Sequence, residues 1–331
     1  MKALLVGSES TPYVEVLRSA LRSEWELVCL DRYSPDEPPS PHFANADVLI
    51  SIRFDHTWPA IPQLRLLQAP AAGLNAIQFD AVPAHVPICN SYGHQIAIAE
   101  YCILAMLASA HDLLRIHREF SGGHWCWSGV PAHPQHDEIY GATVCLIGLG
   151  RIGLETARRA KAMGMRVLAC NRTVKNPPPA EVDELTGLSN AASLVKRADF
   201  VIVNCALTPE TTGLVDSGLL AAMKPTAFLI NVSRGPLIDE EALYRALHSR
   251  QIAGAVLDVW YRYPTAESPH PRPSAFPFHE LENVVMTPHV SGWTRGMVRR
   301  RWAEVAANLD HLAAHEPLIN VLRSPRARSE T

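Results

Sequence analysis

Three stretches of this sequence hold residue types that could do chemistry at a defined spacing. The first is Gly148-Leu149-Gly150-Arg151-Ile152-Gly153. Gly148 permits a tight turn, Gly150 lets the backbone approach a pyrophosphate with no side chain in the way, and Gly153 allows close helix–strand packing. Unsatisfied N–H groups at a helix start then face phosphates, and the helix dipole favours their charge. The second is Ser51-Ile52-Arg53, a cation just past an apolar run. The third is Ala69-Pro70-Ala71-Ala72-Gly73, small residues past another run, where backbone N–H groups can meet an anion. Each has a plainer alternative: a glycine-rich loop with no ligand, a solvated arginine (the simpler reading of Arg53), and an ordinary tight turn.

The elements around the glycines decide the first case. Residues 144–147 form a short apolar run that starts on a β-branched residue and reads as a buried strand. Ile152, Thr156, Ala157, Ala160 and Met163 then recur at three- and four-residue spacing, which predicts a helix closed by Gly164. A second strand follows at 166–170. A glycine fingerprint between a strand and a helix, with a strand after it, reads as a dinucleotide site.

Around this centre the chain alternates short apolar runs with helical or loop stretches, at 2–6, 26–30, 47–52, 64–68 and 87–89. That pattern is a small parallel α/β unit, and ligands in such sheets bind beyond the carboxyl ends of strands. Residues 94–120 read as one long connecting helix. Residues 121–137, rich in Gly, Trp, His and Pro, read as an arm whose Trp125 and Trp127 suit a dimer contact. Further strands are expected at 200–205, 227–232 and 255–259, with a helix at 240–249. A last helix at 290–315 carries Trp302, Val305, Leu309 and Leu312 on one face, and the polar tail from Arg323 reads as disordered.

With 331 residues the chain has room for two domains of roughly 100–200 residues each. A net charge of −3 and the lack of a long basic run argue against a nucleic-acid binder. The longest apolar stretch, 96–110, contains Glu100 and falls short of the roughly 18 residues that span a bilayer, so no membrane partner is expected. Seven scattered cysteines, with no Cys-x-x-Cys, read as reduced thiols of a cytoplasmic protein. The fifteen histidines show no zinc spacing, and His133 and His136 flanking Pro134-Gln135 do not make a metal site.

The fingerprint occurs together with Leu207-Thr208-Pro209-Glu210-Thr211, with Asn231-Val232-Ser233-Arg234-Gly235-Pro236-Leu237-Ile238-Asp239, with Leu257-Asp258-Val259 and with Thr287-Pro288-His289-Val290-Ser291-Gly292. Across nearly its whole length the chain resembles the D-isomer-specific 2-hydroxyacid dehydrogenases. The resemblance implies an α/β fold of two Rossmann-like or flavodoxin-like doubly wound parallel-sheet domains with a cleft between them. Residues 1–95 plus 290–331 would form the substrate domain and 96–289 the dinucleotide-binding domain, usually within a homodimer. It implies that Arg234 grips the carboxylate and carbonyl of a small 2-oxo or 2-hydroxy acid through two parallel bonds. His289 would exchange the proton, its imidazole having an ordinary pKa of about 6.5. Asp258 would fix the nicotinamide amide, and Leu207 and Thr208 belong to the cofactor site. Ala72 and Gly73 match the loop that offers N–H groups to the carboxylate. His94 lies near a position where related formate dehydrogenases place a substrate-binding Asn, and Arg53 joins the substrate set.

Two departures from the family pattern carry information. Family members place a Glu five residues after the Asp, where it pairs with the His and favours its protonated form. Here Tyr263 stands there, neutral below about pH 10. The formate dehydrogenases also lack that Glu, so the preferred direction of reaction stays open. Glu267 and Glu280, in a long Pro-rich loop, are the carboxylates that could swing back. Without one, His289 should titrate lower than in a Glu-paired site. The second departure follows the strand at 166–170, where NAD-specific members place an Asp on the ribose 2′-hydroxyl. The residues here are Asn171, Arg172 and Thr173. No carboxylate repels a 2′-phosphate there, while Arg172 can pair with one and Thr173 can donate to it, which favours NADP(H) over NAD(H).

Three functions compete on these residues: an NADP-linked reductase of 2-oxo acids such as glyoxylate or hydroxypyruvate, a dehydrogenase oxidising another small anion, formate-like, and a nucleotide-sensing protein like the corepressors that share this fold. Retention of both Arg234 and His289 favours an enzyme.

Overall fold

The structure is a computed structural model that describes residues 1–265 and 267–324. In chain order, Lys2–Val6 (β1), Val14–Ala20 (α1), Glu26–Leu30 (β2), Val48–Ile50 (β3), Leu66–Gln68 (β4) and Ile88–Cys89 (β5) come first. Gln95–Ala110 (α2) and Leu113–Ser121 (α3) lead into Thr143–Ile147 (β6), Arg151–Ala162 (α4), Arg166–Asn171 (β7), Glu184–Gly187 (β8), Ala191–Val195 (α5) and Phe200–Val203 (β9). Ser217–Ala221 (α6), Phe228–Asn231 (β10), Glu240–His248 (α7), Gly254–Leu257 (β11) and Val284–Met286 (β12) follow, then Arg295–Ala314 (α8) and Val321–Arg323 (β13).

These elements make two compact units, Met1–His94 with the chain from Thr294 onward, and Gln95–Trp293. The first unit holds a six-stranded sheet in the order β13-β5-β4-β3-β1-β2. It is parallel except at its edge, where β13 pairs antiparallel with β5. That strand corrects the reading of a disordered tail from Arg323: the Arg323 guanidinium donates to the carbonyls of Phe79, Val82, Pro83 and Val86, at 2.6–3.0 Å. The remainder of that expectation, 325–331, lies outside the described residues. Helix α8 buries Trp302, Val305 and Leu309 against Leu5, Leu17 and Ile50, as its spacing predicts. The spacing did not show the buried polar link beside that face. Asn308 Nδ2 donates to Gln68 Oε1 (2.7 Å) and to the Ile319 carbonyl (3.1 Å), while Ile319 N–H donates back to Asn308 Oδ1 (2.8 Å).

The second unit holds a seven-stranded sheet, order β12-β11-β10-β9-β6-β7-β8, parallel in every pairing. Val144, Cys145, Leu146 and Ile147 are wholly buried, as a strand covered on both faces requires. The single helix expected over 94–120 is two helices bent by 55°. The apolar side of α2 (Ile98, Cys102, Met106) packs in the core, whereas α3 buries no residue. The chain turns at Asp112, in the left-handed region (φ 47°), and Asp137 N–H takes the Ala110 carbonyl that a continuous helix would use. The last helix likewise starts at Arg295 rather than 290: Thr294 is extended and caps it, its Oγ1 accepting from Met297 N–H at 3.0 Å. Among the described residues no single helix is long and apolar enough to cross a membrane.

Candidate active site

All strands of the second sheet point the same way, so the loops leaving their carboxyl ends gather along one edge. Six of them carry site residues: 148–153 after β6, 171–173 after β7, 205–211 after β9, 233–235 after β10, 258–263 after β11 and 287–291 after β12.

The glycine loop fits a pyrophosphate on steric grounds. Gly148 has φ +107°, and a Cβ there would lie 2.6 Å from the Cys205 nitrogen. A Cβ on Gly153 would lie 2.6 Å from the Gly148 carbonyl oxygen, so the helix can pack this closely only as glycine. Gly150 faces open space and is the N-cap of α4, with no side chain capping it. Its job is therefore access, and the first-turn N–H groups behind it suit an anion. Arg151 is exposed, and Ile152 packs partly on the core. Asn171 Oδ1 accepts from Leu149 N–H at 3.3 Å and its Nδ2 donates to the Thr173 carbonyl at 3.1 Å, so Asn171 braces the loop. Arg172 and Thr173 are exposed. A residue not singled out from the sequence lies within electrostatic reach of Arg172: the Glu210 carboxylate is held below the usual range first by a hydrogen bond from Thr208 and, more weakly, by Arg172. The loop that carries it is closed by Thr211, whose Oγ1 donates to Ala206 O and accepts from Thr208 N–H, each at 2.7 Å. Leu207 is left exposed on that loop.

Arg234 and His289 come together. After β10, buried Asn231 donates to the Arg234 carbonyl (3.1 Å) and accepts from Ser233 N–H (3.1 Å), fixing a turn. Gly235 then passes so close to the 260–261 backbone that a Cβ would sit 2.4 Å from the Trp260 oxygen. This contact sets Arg234 beside the loop bearing Tyr263. The Arg234 guanidinium is exposed and donates to the Ser233 carbonyl at 2.7 Å. His289 occupies the left-handed region at φ 59°, an uncommon conformation for a residue with a side chain, and one held here by its surroundings.

Those surroundings are organised by Asp258, which is fully buried. Its carboxylate accepts from Thr287 Oγ1 (2.6 Å), Val290 N–H (2.8 Å) and Ser291 N–H (2.9 Å), and Tyr101 bonds to Thr287 in turn (2.6 Å). Charge-assisted bonds of this kind are the strong ones. With its carboxylate accepting from three protein donors, Asp258 shapes the His289 turn.

The place of the missing Glu is taken by Tyr263. Its Oη lies 3.1 Å from His289 Nδ1 and accepts from Trp260 N–H at 3.2 Å. Glu280 is instead within 3.7 Å of His279, and Glu267 is held low by its own backbone N–H and Thr265. The His289 pKa lies below the ordinary 6.5, first because burial penalises the charged ring and then because Arg234 repels it; Asp258 opposes both. Burial also pushes the Tyr263 hydroxyl up.

The substrate residues expected elsewhere lie in the first unit. Ala72 and Gly73 follow β4, where Ala72 O accepts from Asn90 Nδ2 at 2.9 Å and Ala71 O from Ser91 N–H at 3.1 Å. Arg53 is exposed past β3, where its N–H donates to Ser51 Oγ (3.1 Å), and it lines a cavity of about 530 Å³ with Glu9, Asp31 and Arg32. His94 stacks on Tyr92, with ring centroids 6.2 Å apart.

Comparison with known proteins agrees with this layout. The family model described as "D-isomer specific 2-hydroxyacid dehydrogenase, NAD binding domain" matches residues 103–291. A glyoxylate reductase of Thermococcus onnurineus (strain NA1) is 36% identical over 265 residues, 78% of this chain and 76% of that one. An NAD-complexed D-isomer specific 2-hydroxyacid dehydrogenase from Lactobacillus delbrueckii ssp. bulgaricus superposes with TM-score 0.79 at 22% identity, covering 97% of this chain and 100% of that one. An NADPH-dependent glyoxylate/hydroxypyruvate reductase from Sinorhizobium meliloti gives TM-score 0.77 at 22% identity, covering 99% of each chain. At these identities the two structures speak to the fold.

Proposed function

This chain belongs to the D-isomer-specific 2-hydroxyacid dehydrogenase family, and on that premise we propose that it reduces a small 2-oxo acid of the glyoxylate or hydroxypyruvate type with NADPH. The observation that carries the reading is the meeting of Arg234 and His289 on the same sheet edge as the glycine loop. Arg234 binds the substrate carboxylate and carbonyl oxygen through its planar fork and stays charged at every working pH. The imidazolium of His289 gives its Nε2 proton to the carbonyl oxygen as the C=O π pair becomes an O–H bond, and the ring is left neutral with its other proton on Nδ1, to be recharged at Nε2 from solvent. When bound, the nicotinamide supplies the hydride that the carbonyl carbon takes. Gly148, Gly150, Gly153 and the first turn of α4 would hold its pyrophosphate. In the first unit, Ala72 and Gly73 are the candidates for backbone N–H donors to a carboxylate, and His94 and Arg53 are the other substrate candidates.

The preference for NADPH is supported by exposed Arg172 and Thr173 after β7, where no Asp stands. Seven free thiols support a cytoplasmic setting. A homodimer is supported by Leu104, Leu113, Phe120 and Trp125, large apolar side chains exposed on α2, α3 and the arm after them.

The test is turnover by the purified chain. NADPH or NADH is mixed with a panel of 2-oxo acids, and the reverse run uses the oxidised cofactors with hydroxy acids, formate and phosphite. Reduction of glyoxylate or hydroxypyruvate, lost on Arg234→Ala and His289→Asn, is the expected result. Turnover of formate alone, or tight cofactor binding with no turnover of any substrate, would overturn the reading.

A further inference from the structure

We infer that Tyr263 is the positioning residue of His289, its hydroxyl orienting the ring in both protonation states and, in the free enzyme, holding the neutral imidazole with its proton on Nε2. The inference rests on the reading of His289 as the acid–base given above.

The hydrogen-bond inventory leads to this assignment. The backbone N–H of Trp260 can only donate, so Tyr263 Oη accepts there, at 3.2 Å. The phenol has one proton, and of its two protein partners here the ring nitrogen 3.1 Å away, His289 Nδ1, is the one that can accept it. A neutral imidazole that accepts at Nδ1 carries its hydrogen at Nε2. When the ring is charged, both nitrogens carry protons. Nδ1–H then donates to the same Oη, and the phenol proton turns to solvent, which Tyr263 reaches with 42% of its surface exposed. A hydroxyl can play both parts, so the ring keeps one orientation in both protonation states.

A carboxylate at this position would act differently. It only accepts, so it would draw the neutral ring's proton to Nδ1 and stabilise the imidazolium by charge. Tyr263 orients without that bias. The other charged groups acting on His289 are Arg234, which opposes its protonation, and Asp258, enclosed behind the turn, which favours it. The left-handed backbone of His289 leaves its side chain few alternative positions, and the bond at Nδ1 selects among them.

The experiment reads the ring directly. Nitrogen-15 NMR of His289, assigned with His289→Asn, is recorded against pH for the wild-type chain, Tyr263→Phe and Tyr263→Glu. In the wild type the neutral ring is expected in the Nε2–H form. Tyr263→Glu should move it to Nδ1–H and raise its titration midpoint by about one pH unit or more. For glyoxylate reduction, Tyr263→Phe should lower kcat by about tenfold with KM little changed, and Tyr263→Glu should move the pH limb upward with the midpoint. An Nδ1–H ring in the wild type, or a ring whose tautomer and midpoint do not respond to Tyr263→Glu, would overturn the inference. Because the spectra need no substrate, a chain that reduces no 2-oxo acid overturns the proposed function while the spectra still decide the role of Tyr263.

Discussion

Two residues set how this chain departs from its relatives, and each yields a measurable consequence. The His289 ring lies on the exposed side of its turn but is partly desolvated and has Arg234 beside it, so its proton leaves at lower pH than the ordinary 6.5. Reduction uses the charged ring. The rate should therefore be full well below that value and fall as pH rises through a midpoint under 6.5, read from a pH profile of kcat/KM with a 2-oxo acid. A rate that stays flat well above neutrality would contradict this. Arg172 follows β7 where an NAD site would carry an Asp, and Glu210 stands within its electrostatic reach. Arg172→Ala should reduce kcat/KM for NADPH by about tenfold or more while changing that for NADH little, since a charge-assisted bond contributes about 1.5–3 kcal/mol. Glu210→Gln should act in the opposite sense and favour NADPH further, because it removes a carboxylate from the neighbourhood of a 2′-phosphate. Steady-state kinetics with both cofactors checks both variants. A preference of the wild type for NADH would remove the cofactor assignment.

At the scale of elements, the structure separates what packs from what positions. Helix α8 closes the first unit with an apolar face and with Asn308, which is wholly buried. Asn308→Ala would take the partner from three groups, the buried Gln68 oxygen and the half-buried Ile319 N–H and carbonyl. Leaving buried polar groups unsatisfied costs about 1–3 kcal/mol each, so a thermal melt should show a clear loss of Tm. Turnover below that temperature should persist, because Asn308 contributes nothing to the loops that carry Arg234 and His289. The element that positions is the turn 287–291. Asp258 takes the N–H groups of Val290 and Ser291, and α8 begins after Thr294, its N-cap.

At the scale of the whole molecule, the exposed apolar side chains of α3 and the arm after it call for a cover. The chain of 36.4 kDa should sediment at about twice that mass, and Trp125→Asp combined with Phe120→Asp should shift it to the monomer. A wild-type chain that sediments as a monomer at micromolar concentration would remove the dimer. The sequence by itself determined the parallel strands, the glycine turn with its helix, and the membership that puts Arg234 and His289 in one site. Each of these is written in local pattern: apolar period, a glycine where a Cβ has no room, and short motifs just past strand ends. It did not show the break at Asp112, the edge strand β13, the Asn308 link or the enclosure of Asp258, because each depends on a partner distant in the chain. Above all it left open whether Tyr263, Glu267 or Glu280 meets His289. Only the tertiary structure decided that, by stacking Gly235 against Trp260 so that the loop after β11 delivers a phenol to Nδ1. The sequence names which groups can hydrogen-bond, whereas packing fixes which of them come within 3 Å or so of one another.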